Sequence, residues 1–330
     1  MGGGPVRVTC PHCLQSHDTS VRECPETGAE IPNRYIRNHL HGERVASMLT
    51  VGWSGHGKTC YLASFMHGCY YDLPRAWPGF SLIGLNQATL DVVHDAYVNR
   101  IHGGDLPDRS PSTLTNRLIL EMSDVPLSRK MGPLKVGYER QKLVLNLYDI
   151  GGEVYRAQET IEQQIDLIAR LRCMTFLIDL SQVREEASTT GRTPESALQR
   201  LLDTILIAVD RLGPVEGTRM GIVVCFTKTD LLWHDPDFGP LAEPPTVQLP
   251  DASGMGAYIA SMVKRSRAIG DWVRETYPHF YNALHHDFEP VAFTAVSALG
   301  TKPSDGRVQA LRPSGLYDPL LSLLHMEHWV

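Results

Sequence analysis

The run Gly52-Trp53-Ser54-Gly55-His56-Gly57-Lys58-Thr59 has the spacing G-x4-G-K-[ST]. Its chemistry is that of binding a phosphate. Gly52, Gly55 and Gly57 let the backbone wrap closely round an oxyanion, a path that a Cβ would obstruct. The N–H groups then converge at the positive end of the helix that follows. Lys58 supplies a positive charge for the outer phosphates, and the Thr59 hydroxyl a ligand for Mg²⁺. Ser54, His56 and Cys60 fall within the same candidate loop and first helical turn. Trp53 and His56 are bulky for such a loop and are expected to pack outward. No chemistry is assigned to the His56 ring.

A second constellation lies upstream. Cys10-Pro11-His12-Cys13 holds two thiolates on a tight turn, and Cys24-Pro25-Glu26-Thr27-Gly28 has the shape of a second such turn, with Thr27 at the last Cys position. Three thiolates and one further ligand make a tetrahedral Zn²⁺ site. His17 is the nearest fourth ligand; His39 and His41 lie further along, and His12 points the wrong way. The expected role is structural, because small segments poor in apolar residues rarely fold without a staple.

Three further groups stand at the ends of apolar runs. Asp149-Ile150-Gly151-Gly152-Glu153 follows Leu143–Tyr148: the Asp can hold Mg²⁺ through a water, and Gly152 can offer its N–H to a γ-phosphate. Thr227-Lys228-Thr229-Asp230 follows Gly221–Phe226. The Asp230 carboxylate can accept from guanine N1–H and its exocyclic amine, a pair of donors that adenine lacks, while the Lys228 stem lies over the purine. Ser297-Ala298-Leu299 is a turn of small residues able to present an N–H to guanine O6.

These groups need strands to carry them. Strand-like runs are Val45–Val51, Thr115–Met122, Leu143–Asp149, Met174–Leu180, Met220–Thr227 and Pro290–Val296, with helix-like patterns between them. One helix opens with Thr193 as N-cap and Pro194 at its first position, and Leu198, Leu201, Leu202, Ile205, Leu206, Val209 and Leu212 mark its apolar face. Ile161, Ile165 and Ile168 mark another. Met255–Leu284 reads as a long helix broken near Tyr277-Pro278, and Pro319–Leu324 as a short terminal helix docked on the sheet. Alternating strands and helices imply an α/β fold with a doubly wound, mostly parallel sheet. The chain divides into a small module over residues 1–44 and a larger domain over 45–330. Insertions are expected at about 78–108, with a strand-like Phe80–Leu85 and a helix near Thr89–Ile101, and at about 232–252, a surface loop.

Composition narrows the function. Across 330 residues, 31 Lys and Arg stand against 37 Asp and Glu, a net charge of −6, so neither nucleic acid nor an anionic membrane is the expected partner. No apolar run approaches the roughly 18–20 residues of a spanning helix. The start, Met1-Gly2-Gly3-Gly4-Pro5, lacks the pattern of a secretory signal. Seven cysteines, three of them within the first 25 residues, suit metal binding and buried thiols rather than a disulfide framework. The expectation is a reducing compartment, the cytoplasm.

From about Val45 to its end the chain resembles the Ras-like P-loop GTPases. Gly52–Thr59 matches that family's first box, Asp149–Gly152 its third, Thr227–Asp230 its fourth in a Thr-Lys-x-Asp form, and Ser297–Leu299 its fifth. The resemblance implies a six-stranded domain that binds and hydrolyses GTP, with GTP or GDP and Mg²⁺ bound and two switch loops ordered by the γ-phosphate. Thr113, or else Thr115, would be the switch residue on Mg²⁺. Glu153 stands where a water-orienting Gln is expected, which implies slow or partner-stimulated turnover. Arg156 is a candidate internal charge stabiliser. The Cys-rich start, and the Pro-Leu-Leu terminus, are similar to a group of prokaryotic double-GTPases in signalling or conflict systems. That likeness implies a protein effector or a second GTPase subunit as partner, in a homo- or hetero-dimer. The alternatives are a GTP-binding scaffold with little hydrolysis and a P-loop ATPase or kinase.

Overall fold

Strand β3 (Arg44–Val51) splits its buried side chains between two cores, Ala46 and Met48 on one face and Leu49 and Val51 on the other. That pattern marks a strand covered on both sides, and it recurs across the sheet. The computed structural model describes residues 6–108, 116–131, 134–149, 170–210, 220–243, 249–251, 253–304 and 306–330. In chain order the remaining strands are β1 (Arg7–Thr9), β2 (Ser16–Asp18), β4 (Ser81–Gly84), β5 (Asn116–Met131), β6 (Leu134–Asp149), β7 (Cys173–Ile178), β8 (Gly221–Phe226) and β9 (Val291–Ala295). The main sheet runs β4-β5-β6-β3-β7-β8-β9. β5 is antiparallel to both its neighbours, and the pairs from β6 to β9 are parallel.

The doubly wound, mostly parallel α/β fold expected from the sequence is therefore present, with one correction. The sheet has seven strands rather than six, because β4, from the first insertion, pairs with the outer edge of β5. β5 and β6 also run 16 residues each, well beyond the predicted runs. The extension mixes charged and polar residues with the buried Val125 and Leu127, so it did not read as an apolar run, and the C-terminal tail packs on it: the Ser128 N–H donates to Trp329 O at 2.6 Å. Arg44 bridges the two, donating to Trp329 O at 3.2 Å and Ser128 O at 2.8 Å.

One face of the sheet is covered by α2 (Lys58–Tyr71), by the inserted helices, by the start of α9 (Met255–Thr276) and by α11 (Asp318–Met326). The inserted helices are α3 (Leu73–Ala76), α4 (Gln87–Asp91), a π-helical stretch Val92–Val98 and α5 (Asn99–His102). The other face carries α6 (Leu180–Thr190), α7 (Pro194–Asp210), the end of α9 and α10 (Pro278–Asp287). The Thr193 hydroxyl accepts from Ser196 N–H at 3.2 Å, as an N-cap should. The break between α9 and α10 falls at Tyr277–Pro278, where proline cannot donate to the helix ladder. The second insertion is more than a surface loop: Leu232, Phe238 and Ala242 are buried, the last in the short α8 (Gly239–Ala242). The predicted helix of Ile161, Ile165 and Ile168 lies outside the described residues. Among the described residues no helix is long and apolar enough to cross a membrane.

Over β5 and β6 that second face is covered by the N-terminal segment. β1 and β2 form an antiparallel hairpin, and α1 (Asn33–Leu40) follows. Val8, Ile31, Tyr35 and Ile36 pack with Ile119 and Val144 of the sheet. Glu121, fully buried on β5, anchors the contact: Arg34 donates to it at 2.8 and 2.6 Å and Asn38 at 2.6 Å. Burial pushes the Glu121 carboxyl up, but these donors more than offset it and hold it below the usual carboxylate range.

Candidate functional site

The candidate phosphate loop sits where β3 leaves the sheet between β6 and β7. A Cβ on Gly52 would lie 3.2 Å from Leu177 O and 3.3 Å from Leu177 Cβ, a tight fit that favours glycine where the loop leaves the strand. Gly55 and Gly57 have φ of +89° and +79°, a region that favours glycine, and Gly57 caps α2, which opens at Lys58. The N-terminus of a 14-residue helix therefore faces the loop.

The back of the loop is braced by neighbouring strands. The Lys228 ammonium donates to Gly55 O at 2.6 Å, the Thr227 hydroxyl to His56 O at 2.7 Å, and the Gln182 amide to Ser54 O at 3.2 Å. Lys228 is in turn paired with Asp179 Oδ2 at 2.7 Å. The other Asp179 oxygen caps α6, accepting from Ser181 N–H at 2.9 Å and Gln182 N–H at 3.2 Å. Burial raises the Asp179 carboxyl, yet Lys228 and Ser181 outweigh it, so it stays below its ordinary range and charged. Sequence reasoning missed Asp179 because the predicted strand ran on to Leu180. The strand ends at Ile178, and Asp-Leu-Ser-Gln is a helix-start signal there.

His56 corrects an expectation. It packs inward, 2% exposed, not outward. Its Nδ1 lies 3.3 Å from Leu177 O and 3.4 Å from Asp179 N, and burial lowers its pKa, so the ring is neutral. Trp53, half-buried, tilts against Phe176 with ring centroids 5.8 Å apart.

Toward β6, Thr50 of β3 is in register with Asp149, which brings Asp149 level with the loop. Lys58 Nζ pairs with Asp149 Oδ1 at 2.8 Å, with both side chains almost wholly buried. Thr59 follows in the first turn of α2, and Cys60 beside it is half-buried with its thiol raised by burial. The Tyr97 hydroxyl, from the inserted π-helical stretch, donates to Asp149 Oδ2 at 3.3 Å, a contact no sequence motif announced.

On the opposite side of the loop, β8 and β9 are adjacent, so their ends meet. Ser297 Oγ donates to Asp230 Oδ1 at 2.5 Å and accepts from Gly300 N–H at 2.9 Å. Ala298 and Leu299 are half-buried beside them. Lys228 adopts φ of +52°, which lets its side chain turn back to the phosphate loop while Asp230 turns toward Ser297. The remaining expected residues, Thr113, Thr115, Gly152, Glu153 and Arg156, lie outside the described residues.

The N-terminal cysteines converge. The candidate ligand atoms of Cys10, Cys13, His17 and Cys24 all lie within 4.8 Å of one another, with Cys13 Sγ 3.1 Å from His17 Nε2. His39 and His41 are not in the group. His12 turns away, its Nε2 2.8 Å from Glu30 O. Burial first, then the neighbouring thiols, pushes the Cys13 thiol up to about 12. Burial raises the Cys10 thiol too, while at Cys24 burial is outweighed by hydrogen bonds, Thr27 first, which hold the thiol down. Three sulfurs and one imidazole this close are the donor set of a Cys3His metal site. The turn also grips the sheet: the Tyr148 hydroxyl donates to Pro11 O at 2.8 Å and Arg170 to Cys13 O at 2.8 Å.

No protein-family model matches the chain, and no curated protein matches it. Solved structures do. A chain of the signal recognition particle receptor SRb-GTP/SRX complex from Chaetomium thermophilum is similar over 84% of this chain and 96% of its own, at 17% identity and a TM-score of 0.34. The Ski7 GTPase-like domain of S. cerevisiae, bound to GTP, is similar over 89% of this chain and 53% of its own, at 13% identity and a TM-score of 0.38. An ADP-ribosylation-factor-like GTP-binding protein, SAR1, of Encephalitozoon cuniculi with GDP is similar over 88% and 81%, at 13% identity and a TM-score of 0.31. The fold assignment rests on the strand order and the phosphate loop, not on these scores.

Proposed function

We propose that the chain is a GTP-binding, GTP-hydrolysing switch, with a nucleotide domain over residues 45–330 and a zinc-bearing module over 1–44. The observation that carries this reading is the tie between phosphate loop and base-side turn. Lys228, next to the candidate guanine reader Asp230, also donates to Gly55 O of the loop. One side chain thus joins the phosphate loop to the turn that carries Asp230.

In this reading the loop N–H groups and Lys58 hold the phosphates. Thr59 and Asp149 serve Mg²⁺, which when bound would offset phosphate charge. An arriving triphosphate competes for Lys58 and frees Asp149 toward the cation. Asp230 accepts from guanine, with the Ser297 hydroxyl fixing its carboxylate, and the Ser297–Leu299 turn faces guanine O6. Thr113 and Gly152 would meet the γ-phosphate end. Glu153, in place of a Gln, fits slow or partner-stimulated hydrolysis. That same residue favours the second reading, a GTP-binding scaffold with little turnover. Cys10, Cys13, Cys24 and His17 would hold Zn²⁺ in a structural role. A protein effector or a second GTPase subunit would read the nucleotide state.

The test is binding of a fluorescent GTP analogue with Mg²⁺, competed separately by GTP, GDP and ATP. Competition by GTP and GDP but not ATP is expected. Equal competition by ATP would make Thr227–Asp230 an ordinary strand-end turn and overturn the guanine assignment.

A further inference from the structure

The insertion between α2 and β5 reaches the core of the candidate site. Its π-helical stretch Val92–Val98 packs on α2, with Val93, Tyr97 and Val98 each 2% exposed or less. π-helical turns are rare and often accompany function, but here the argument rests on what the turn delivers. It delivers one polar atom, the Tyr97 hydroxyl, to Oδ2 of a carboxylate that is itself 0% exposed. The two oxygens of Asp149 are thereby held from two elements, Oδ1 by Lys58 of α2 and Oδ2 by Tyr97 of the insertion.

We infer that Tyr97 is a positioning residue for Asp149, setting the carboxylate toward Mg²⁺, and that this is what the inserted helix contributes to the nucleotide site. The inference rests on the GTP-binding reading above. The two donors differ in what they do to the carboxylate. Lys58 cancels its charge, and in the proposed cycle Lys58 turns to the phosphates. Tyr97 is neutral: it fixes the carboxylate while leaving the full negative charge for the cation. It is also anchored by packing, so it stays when Lys58 leaves. An Arg or Lys at position 97 would compete with Mg²⁺ for the same charge.

The experiment uses the full chain loaded with a fluorescent GDP analogue, and reads the Mg²⁺ concentration that half-maximally slows release of the analogue. Tyr97→Phe keeps the ring and removes only the hydroxyl. It is expected to raise that concentration about three- to tenfold, the range for one ordinary hydrogen bond, as suits a contact of 3.3 Å, while affinity in EDTA stays within about twofold of wild type. In the double variant with Asp149→Asn, the Phe change is expected to add nothing. Val93→Ala loosens the same packing away from Asp149 and is expected to leave the Mg²⁺ midpoint unchanged. An unchanged midpoint in Tyr97→Phe would overturn the inference. So would an equal loss in EDTA, a full effect on top of Asp149→Asn, or the same shift in Val93→Ala. If wild-type protein retains no guanine nucleotide at all, the GTP-binding reading fails first and takes the inference with it. Binding in wild type with no Mg²⁺ shift in Tyr97→Phe overturns the inference alone.

Discussion

The phosphate loop and the cysteine turn are both short segments with few apolar side chains, yet they are held by different means. The phosphate loop is braced from outside by protein alone. Three side chains, two after the end of β8 and one in the first turn of α6, donate to the carbonyls of Ser54, Gly55 and His56, and Lys228 among them is itself held by Asp179. The cysteine turn has a thin core of its own, with Val8, Ile31, Tyr35 and Ile36 against Ile119 and Val144. Its centre is a knot of three sulfurs and one imidazole, all within 4.8 Å of one another, a donor set suited to one cation. A preformed loop can wait for its ligand, whereas a cluster of acidic donors takes its fold energy from one. The loop should therefore lose binding without losing shape, and the turn should lose shape first.

The largest expected effect breaks the phosphate side. Lys58→Ala removes one partner of an almost wholly buried pair with Asp149. Truncating such a pair costs about 2–5 kcal/mol, so triphosphate affinity is expected to fall by between thirtyfold and several thousandfold in a competition titration. Stability also drops, because a buried carboxylate loses its cationic partner. Metal content should not change. Next comes the metal side. Chelation is expected to release about one Zn²⁺ per chain, and Cys13→Ser to weaken its retention severely. Hydrogen exchange should then show residues 6–31 losing protection while nucleotide affinity shifts by no more than about threefold. A zinc-free protein that keeps its protection would remove the contrast. A large loss of nucleotide affinity would instead give the Tyr148–Pro11 bond a coupling role.

Much of this was legible in the sequence, and the reasons are local. Glycines at 52, 55 and 57 can only be explained by backbone paths that other residues avoid, so they mark the loop without any knowledge of what surrounds it. Cys10 and Cys13 are equally local, and His17 follows by proximity. The strands that lead to Asp149 and Asp230 announce themselves as apolar runs, broken only by Asn146 in the first. Hidden from the sequence were the contacts made across the fold. Tyr97 meets Asp149 from 52 positions away, and nothing in Val-His-Asp-Ala-Tyr97 says so. His56 turned inward because the end of β7 offers Leu177 O and Asp179 N to its ring, a partner that spacing within the loop cannot reveal. The outer half of the β5–β6 hairpin packs on the chain's last residues, which is again a long-range contact.

Asp179→Asn sharpens the comparison by separating the two tasks of one carboxylate. Asn caps a helix about as well as Asp, so α6 should keep its first-turn bonds from Ser181 and Gln182. What is lost is the charge facing Lys228 at 2.7 Å. Lys228 then holds Gly55 O less firmly, and guanine nucleotide affinity is expected to fall about tenfold, the equivalent of one charged hydrogen bond, with little change in melting temperature. A fall in melting temperature with unchanged affinity would mean that Asp179 serves only the helix, and that the loop is braced by Thr227 and Gln182.

The smallest expected effect concerns pH. His56 is buried and its pKa is lowered by that burial, so the folded protein holds it neutral while the unfolded chain protonates it near the ordinary value of about 6.5. The unfolded state thus binds more protons as pH falls through that value, and the contribution of neutral His56 to stability, fully present above it, is lost below. His12, His67 and His285 are shifted the same way by burial, so acid should destabilise the chain through several sites at once. His56→Asn isolates one of them, since the Asn carbonyl can accept from Asp179 N–H and does not titrate. Between pH 7.5 and 5.5 the fall in melting temperature is expected to shrink by about one or two degrees relative to wild type. If the phosphate loop is held as described, nucleotide affinity should lose part of its acid sensitivity in the same variant. An unchanged pH profile for both would mean that the loop keeps its shape without the imidazole, leaving Lys228, Thr227 and Gln182 as its bracing.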